Sequence, residues 1–278
     1  MNEAADAFGR FEREGWQRAA QHYDNFWHGL SSLFVPHLLR SLQVSRSNRV
    51  LDVCCGPGLL SAEAASLGAE TSGIDFSAAM VAQAQARYPH LGFQEGDAQE
   101  LPFEPASFDV VAMNFGAPHL SKPERAFAEA ARVLRPRGRF GFTTWARPEI
   151  NPLAQIVDGA IATHGDTDVG IPEGPPYFRF ADMRASRMAL ETAGFDAASF
   201  VFETVSVDWT VPTAGFLFEA EQIAGVRTAA VLARQEPERL AAIRTAMEAR
   251  VGTYRSEGGF TIPATAHVIS AATSQKER

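Results

Sequence analysis

The stretch Val50-Leu51-Asp52-Val53-Cys54-Cys55-Gly56-Pro57-Gly58 constrains this chain more than any other segment. An apolar run with one acid runs into a glycine turn, and the helix-forming residues Leu59–Leu67 follow. That order reads as strand, turn and helix at the start of a parallel α/β sheet. Glycines at such a turn let backbone approach a ligand, which marks a nucleotide-type site. Asp52, just under the turn, bears on the ligand class, because a carboxylate there repels a pyrophosphate and attracts an ammonium group.

The same alternation continues along the chain. Arg49–Val53, Glu70–Ile74, Gly92–Glu95, Phe108–Met113 and Arg139–Trp145 read as five strands. Between them Gly68 stops the first helix, Ser77 caps an alanine-rich helix that Pro89 ends, and Ser121-Lys122-Pro123-Glu124 has capping-box spacing for a helix to Leu134. Gly138 punctuates that helix before the fifth strand. Strand and helix alternating at this spacing predict a right-handed, doubly wound parallel sheet. Ahead of it, Trp16, Ala19, Ala20, Tyr23 and Trp27, then Leu30, Phe34, Leu38 and Leu42, recur at helical spacing and predict two or three helices.

Beyond Trp145 the pattern breaks. Pro148, Pro152, Pro172, Pro175 and Pro176 predict an irregular insertion over the active edge between Arg147 and Phe180. A helix over Asp182–Ala193, a strand over Phe200–Val211, helices over Glu219–Ala233 and Pro237–Tyr254, and a last strand over Phe260–Ala272 follow, with fraying from Thr273. The expected organisation is one domain over 1–278. Within it, 1–45 form a helical lid, 46–146 a cofactor-binding core, 147–180 and 212–256 substrate-cap insertions, and 181–211 with 257–272 the rest of the sheet.

A net charge of −8 gives no long-range attraction to nucleic acid or to an anionic membrane. With 46% hydrophobic and 21% charged residues, the composition is that of a soluble globular protein, most simply cytoplasmic, a monomer or homodimer acting on small molecules. Cys54 and Cys55 are the only cysteines and adjacent; they are poorly placed for a structural disulfide and make a weak metal set, so no metal is expected. Met1 to Gly15 is acidic and does not read as a secretory signal, and no apolar run is long enough to span a bilayer.

Ligands of such sheets bind beyond the carboxyl ends of the strands. Gly56 and Gly58 lie there, and Asp75 follows Gly58 by 17 residues, near the interval at which an acid accepts from ribose hydroxyls. Asp97 follows the third strand, where it can accept from an adenine amino group while the Ala98 N–H donates to the ring. A nicotinamide dinucleotide fits less well, since Ser61 replaces the third glycine of that fingerprint. The acids favour S-adenosyl-L-methionine, with Asp52 facing its ammonium.

The blocks Leu-Asp-Val-x-Cys-Gly-x-Gly, Gly-Ile-Asp-x-Ser, Gly-Asp-Ala-x-x-Leu-Pro-Phe, Ser-Phe-Asp-Val-Val and Arg-Val-Leu-Arg-Pro-x-Gly occur in that order between Val50 and Trp145. On them the chain resembles the class I S-adenosylmethionine-dependent methyltransferases, in particular the ubiquinone and menaquinone biosynthesis C-methyltransferase branch. The resemblance implies a Rossmann-like α/β fold with a seven-stranded sheet whose last strand is antiparallel, N-terminal helices, and a helical or irregular insertion capping the active site. It implies Asp75 on the ribose and Asp97 near adenine. The expected cofactor set is Asp52, Cys54, Gly56, Gly58, Asp75, Phe76, Met80, Asp97, Ala98, Asn114 and Tyr23; Tyr23 and Trp27, four residues apart on one helical face, either close over the cofactor or pack that helix against the domain. The product is then S-adenosyl-L-homocysteine. Two departures stand out: Cys54 and Arg137 occupy positions that are usually glycine.

Methyl transfer is an in-line displacement, so such an enzyme aligns donor and acceptor and excludes water, with a base only where the acceptor must lose a proton. The segment Asn114–His119 after the fourth strand faces the reacting group, and His119 is the candidate base; packing and loop hydrogen bonding are its other reading. His22, His28 and His37 on the first helices, and His164 and His267 read as surface residues, are weaker candidates. The expected substrate pocket comprises Trp27, Phe115, His119, Tyr177, Phe178 and Trp209, which favours an apolar acceptor. Arg179 and Arg184 pair either with an acceptor carboxylate or with surface acids. Two other functions remain open: the same cofactor in non-methylating chemistry, and a non-catalytic binding role.

Overall fold

Strands that are covered on both faces carry this architecture. In the computed structural model, which describes residues 3–274, they are β1 (Arg49–Val53), β2 (Glu70–Asp75), β3 (Gly92–Glu95), β4 (Phe108–Met113), β5 (Leu134–Trp145), β6 (Val201–Val211), β7 (Arg255–Ser256) and β8 (Gly259–Ala272). The helices are α1 (Glu3–Phe26), α2 (His28–Ser32), α3 (Val35–Ser41), α4 (Leu59–Ser66), α5 (Ala78–Arg87), α6 (Pro123–Val133), α7 (Pro152–His164), α8 (Met183–Ala193), α9 (Phe216–Ala224), α10 (Arg227–Leu232) and α11 (Pro237–Gly252).

The sheet runs β3-β2-β1-β4-β5-β8-β6. Strands β1 to β5 are parallel, and β8 is antiparallel to both β5 and β6. The seven-strand path with an antiparallel last strand is therefore present, extended by β7, which folds back on β8 through Gly258 at φ +86°. Val50, Leu51, Val110, Val111 and Ala112 are all buried in the central strands, so helices cover both faces as a parallel sheet requires. Strand order reverses at β1, between β2 and β4, and this opens the crevice at their carboxyl ends.

The helices ahead of the sheet divide the work. Phe34, Leu38 and Leu42, all 0% exposed, seat α3 on the β5–β8 pair. Helix α1 instead lies over the crevice edge against α5 and α9, and Gly15 permits that approach, since a Cβ there would stand 2.3 Å from Val226 Cγ1.

Several expectations are corrected. The insertion after Trp145 contains the ordered helix α7, because Pro152 occupies its first turn, where no N–H is needed, and so opens a helix instead of breaking one. The helix expected over Glu219–Ala233 is two: Gly225 leaves helical geometry, and a Cβ there would lie 2.5 Å from the Glu221 carbonyl oxygen. Ser121 makes no capping box. Its hydroxyl donates to Gln99 Oε1 at 3.0 Å, which also accepts from the Lys122 N–H at 2.7 Å. Strand β5 begins at Leu134, directly after α6, with a register irregularity opposite Phe108–Val110. His267 is buried within β8 and bonded to Thr204, so it is not a surface residue. Thr273 bridges to Phe195, and residues 275–278 of the expected frayed tail lie outside the described residues.

Candidate active site

A cavity of about 680 Å³ opens at the carboxyl ends of β1 to β4, within the usual size of small-molecule sites. Three acids line it at the ends of successive strands: Asp52 in β1, Asp75 closing β2, and Asp97 after β3. Asp52 is 1% exposed, and its Oδ2 accepts from Ser61 N at 3.0 Å and Ser61 Oγ at 2.8 Å, capping α4. Both bonds end on one oxygen. Burial pushes its pKa up to about 7, Ser61 opposes the shift, and the charge of Asp75 adds to it. Asp75 accepts from Gly56 N and Ser77 N, each at 2.9 Å, and burial pushes it up to about 6. Neither acid has an ion-pair partner among the described residues. Asp97 Oδ1 accepts from Gln99 N and Gln99 Nε2.

The turn between β1 and α4 leaves room beside these acids. Gly56 lies at φ +50° with nothing within 4 Å of where a Cβ would stand, so its backbone is bare to the cavity. Cys54, at φ +58°, takes a conformation that favours glycine. Its thiol is pushed well above the ordinary range by burial and by Asp75, Asp97 and Asp52. Phe76, Met80 and Ala98 line the same end. Gly58 is absent from that lining: at φ +85°, a Cβ there would stand 2.7 Å from Phe93 Cζ, so the close approach of the turn to Phe93 of β3 requires this glycine.

The segment after β4 forms the floor. Phe115 stacks on Trp145 at 4.1 Å between centroids, and its N–H donates to Thr143 Oγ1 at 2.8 Å. Asn114 is tied on both sides, donating to Ser31 O and accepting from Thr143 Oγ1. Tyr23 donates to Ser31 Oγ at 3.0 Å, and burial pushes its hydroxyl up to about 12. His119 Nδ1 lies 3.0 Å from Glu12 Oε2, and its ring meets Trp16 edge-on at 4.8 Å. Glu12 also accepts from Arg227 Nε at 2.7 Å. Burial acts to raise the Glu12 pKa, but His119 and Arg227 together hold it below the ordinary carboxylate value.

The far wall is mostly apolar. Trp27, Tyr177 and Phe178 line it with Leu153, Val157 and Ile161 of α7. Trp209 does not: it is 6% exposed and stacks behind Trp27 at 5.9 Å, a correction to its place in the pocket. Arg179 pairs with Glu124, while Arg184 is exposed, and neither lines the cavity. Asp158 and Glu221 also face this end, and burial pushes Glu221 up to about 7. Sequence reasoning missed Glu12, Trp16, Asp158, Glu221 and Arg227. For Glu12 a signal existed, since it interrupts the buried stripe Phe8, Gly15 and Ala19 on α1.

Three carboxylates, none of them ion-paired among the described residues, can take a ligand that brings an ammonium, vicinal hydroxyls and an amino group. Those residues fit an aminoacyl nucleoside such as S-adenosylmethionine. Comparison with known proteins agrees. Residues 51–142 match the family described as Methyltransferase domain. A demethylmenaquinone methyltransferase of Beutenbergia cavernae is 37% identical over 46% of this chain and 53% of its own length. The ubiquinone/menaquinone biosynthesis C-methyltransferase UbiE of Rubrivivax gelatinosus is 30% identical over 61% of this chain and 71% of its own. The chain thus spans about half the length of the first curated relatives it matches. A putative methyltransferase solved with the Haloferax volcanii Trm112 activator shares the fold, with TM-score 0.58 and 20% identity over 96% of this chain and 98% of its own.

Proposed function

The chain belongs to the class I S-adenosylmethionine-dependent methyltransferase family, and on that premise we propose that it methylates an O, N or C atom of a small, largely apolar metabolite. One observation carries the reading: Asp52, Asp75 and Asp97 line one cavity at the ends of successive strands, none of them ion-paired among the described residues. Asp52 meets the cofactor's ammonium, Asp75 accepts from the ribose hydroxyls, and Asp97 with the Ala98 N–H reads the adenine. Gly56 and Cys54 supply the close backbone, while Phe76, Met80, Tyr23 and Asn114 complete the enclosure. When bound, the cofactor supplies an electrophilic methyl group on a sulfonium.

The chain's own contribution is alignment and exclusion of water. Phe115 and Trp145 form a flat aromatic floor, and Trp27, Tyr177 and Phe178 close an apolar wall, which suits a planar or lipid-like acceptor. An acceptor of the demethylmenaquinone type, as named for the relatives, falls in that class. His119 accepts the proton where the acceptor must lose one. We place the activity in the cytoplasm, in a single-domain monomer or homodimer acting on small molecules and not on nucleic acid. No helix among the described residues is long and apolar enough to cross a membrane.

The test is a panel of quinols, phenols, amines and carboxylic acids incubated with the protein and S-adenosylmethionine, read by mass spectrometry. Methylated product equal to the S-adenosylhomocysteine formed supports transfer. Cofactor binding with no S-adenosylhomocysteine from any acceptor would favour the alternative, a cofactor-binding protein of this fold without methyl transfer.

A further inference from the structure

Helix α1 brings a fully buried acid against the candidate base from 107 positions away in the sequence. Glu12 is 0% exposed, and its two oxygens are divided: Oε2 lies 3.0 Å from His119 Nδ1, and Oε1 accepts from Arg227 Nε at 2.7 Å. Arg227 is itself anchored, donating from Nη1 to Pro175 O at 3.3 Å and from Nη2 to Pro118 O. Its guanidinium also covers the Phe8 ring at 4.5 Å. Charge is therefore balanced within the pair, and the buried carboxylate has a cation without needing one from the imidazole.

An ionised carboxylate only accepts hydrogen bonds, so the nitrogen facing it must carry the hydrogen. The lone pair of the neutral ring is then on Nε2, which has no hydrogen bond among the described residues, on a ring that lines the cavity. Contacts with Trp16 at 4.8 Å and Tyr177 at 6.1 Å, both edge-on, fix the ring plane. The only hydrogen bond to the ring among the described residues is the one at Nδ1, so the partner there sets the tautomer.

We propose that Glu12 is a positioning residue which holds His119 as the Nδ1–H tautomer, leaving Nε2 as the proton acceptor, so that helix α1 completes the active site. The inference rests on the reading of His119 as the base. In the step it serves, the acceptor's O–H or N–H bond breaks, its electron pair stays on the acceptor atom, and the proton binds Nε2. The ring becomes an imidazolium whose Nδ1–H remains on Glu12.

Long-range ¹⁵N–¹H spectra of the full chain labelled at histidine, recorded at about pH 8.5 where an ordinary imidazole is neutral, read the tautomer directly. His119→Gln assigns the signals. The wild type should show a protonated Nδ1 and a bare Nε2, and in Glu12→Ala the Nδ1–H form should fall from dominant to minor. A wild-type ring protonated on Nε2, alone or on both nitrogens, would overturn the proposal even if the variant failed to fold. So would an unchanged tautomer in a folded Glu12→Ala protein. S-adenosylhomocysteine titrated into the same sample tests the underlying reading separately, because absent binding would sink the methyltransferase proposal without touching the tautomer result.

Discussion

Asp52→Asn should make the cofactor-free protein more stable at alkaline pH. Asp52 is 1% exposed and its pKa is pushed up by burial to about 7 from an ordinary 3.8. The folded value lies above the unfolded one, so between about pH 4 and pH 7 the native state holds the extra proton, and the wild type loses stability as pH rises through that window. At roughly 1.4 kcal/mol for each pH unit the loss is at most about 4 kcal/mol. Asparagine keeps an Oδ1 for Ser61 N and Oγ and carries no charge, so about 2 kcal/mol should be recovered, allowing for changed bonding at the other atom. That corresponds to roughly 4–8 °C in a chain of this size. Thermal unfolding of both proteins at pH 8.5 and pH 4 measures it: the gain should be present at the first and mostly gone at the second. A variant no more stable than wild type at pH 8.5, or a gain independent of pH, refutes the reasoning.

Further expectations follow from backbone and thiol chemistry. Gly58→Ala places a Cβ 2.7 Å from Phe93 Cζ at φ +85°, and should cost roughly 2–4 kcal/mol in denaturant unfolding while the folded fraction still binds S-adenosylhomocysteine. Loss of binding without loss of stability would return Gly58 to the cavity. Arg137, exposed at φ +65°, should stabilise the protein by up to about 1 kcal/mol when replaced by glycine, measured the same way; a destabilised variant contradicts that. Burial pushes the thiol of Cys55, 6% exposed, well above the ordinary range, so iodoacetamide should not label it at pH 8 until the protein is unfolded, as mass spectrometry would show. Rapid native labelling would count against that burial.

The sheet was legible because parallel strands covered on both faces read as near-continuous apolar runs, and because Asp52, Asp75 and Asp97 mark the ends of three of them. Glycines were harder, since one needed for packing and one needed by a ligand look alike: Gly56 faces open space and Gly58 faces Phe93. Trp209 misled for a related reason. An aromatic on an alternating strand faces either the cavity or a neighbouring helix, and here Trp27 stands between it and the cavity. Helix α7 was hidden by Pro152, whose meaning depends on whether it falls in a first turn. Glu12 was hidden by its type, because a charge on a helix is usually solvated, and only its place in the stripe with Phe8, Gly15 and Ala19 shows otherwise. Both departures from glycine, Cys54 and Arg137, lie at positive φ, the region that favours glycine.

The central claim, that three strand-end acids hold an aminoacyl nucleoside, is tested most directly by calorimetric titration with S-adenosylmethionine, S-adenosylhomocysteine and NAD in parallel. Saturable binding of the first two and none of NAD is expected, with Asp75→Ala weakening both. Binding of NAD alone, or of none of the three by a folded protein, would contradict it.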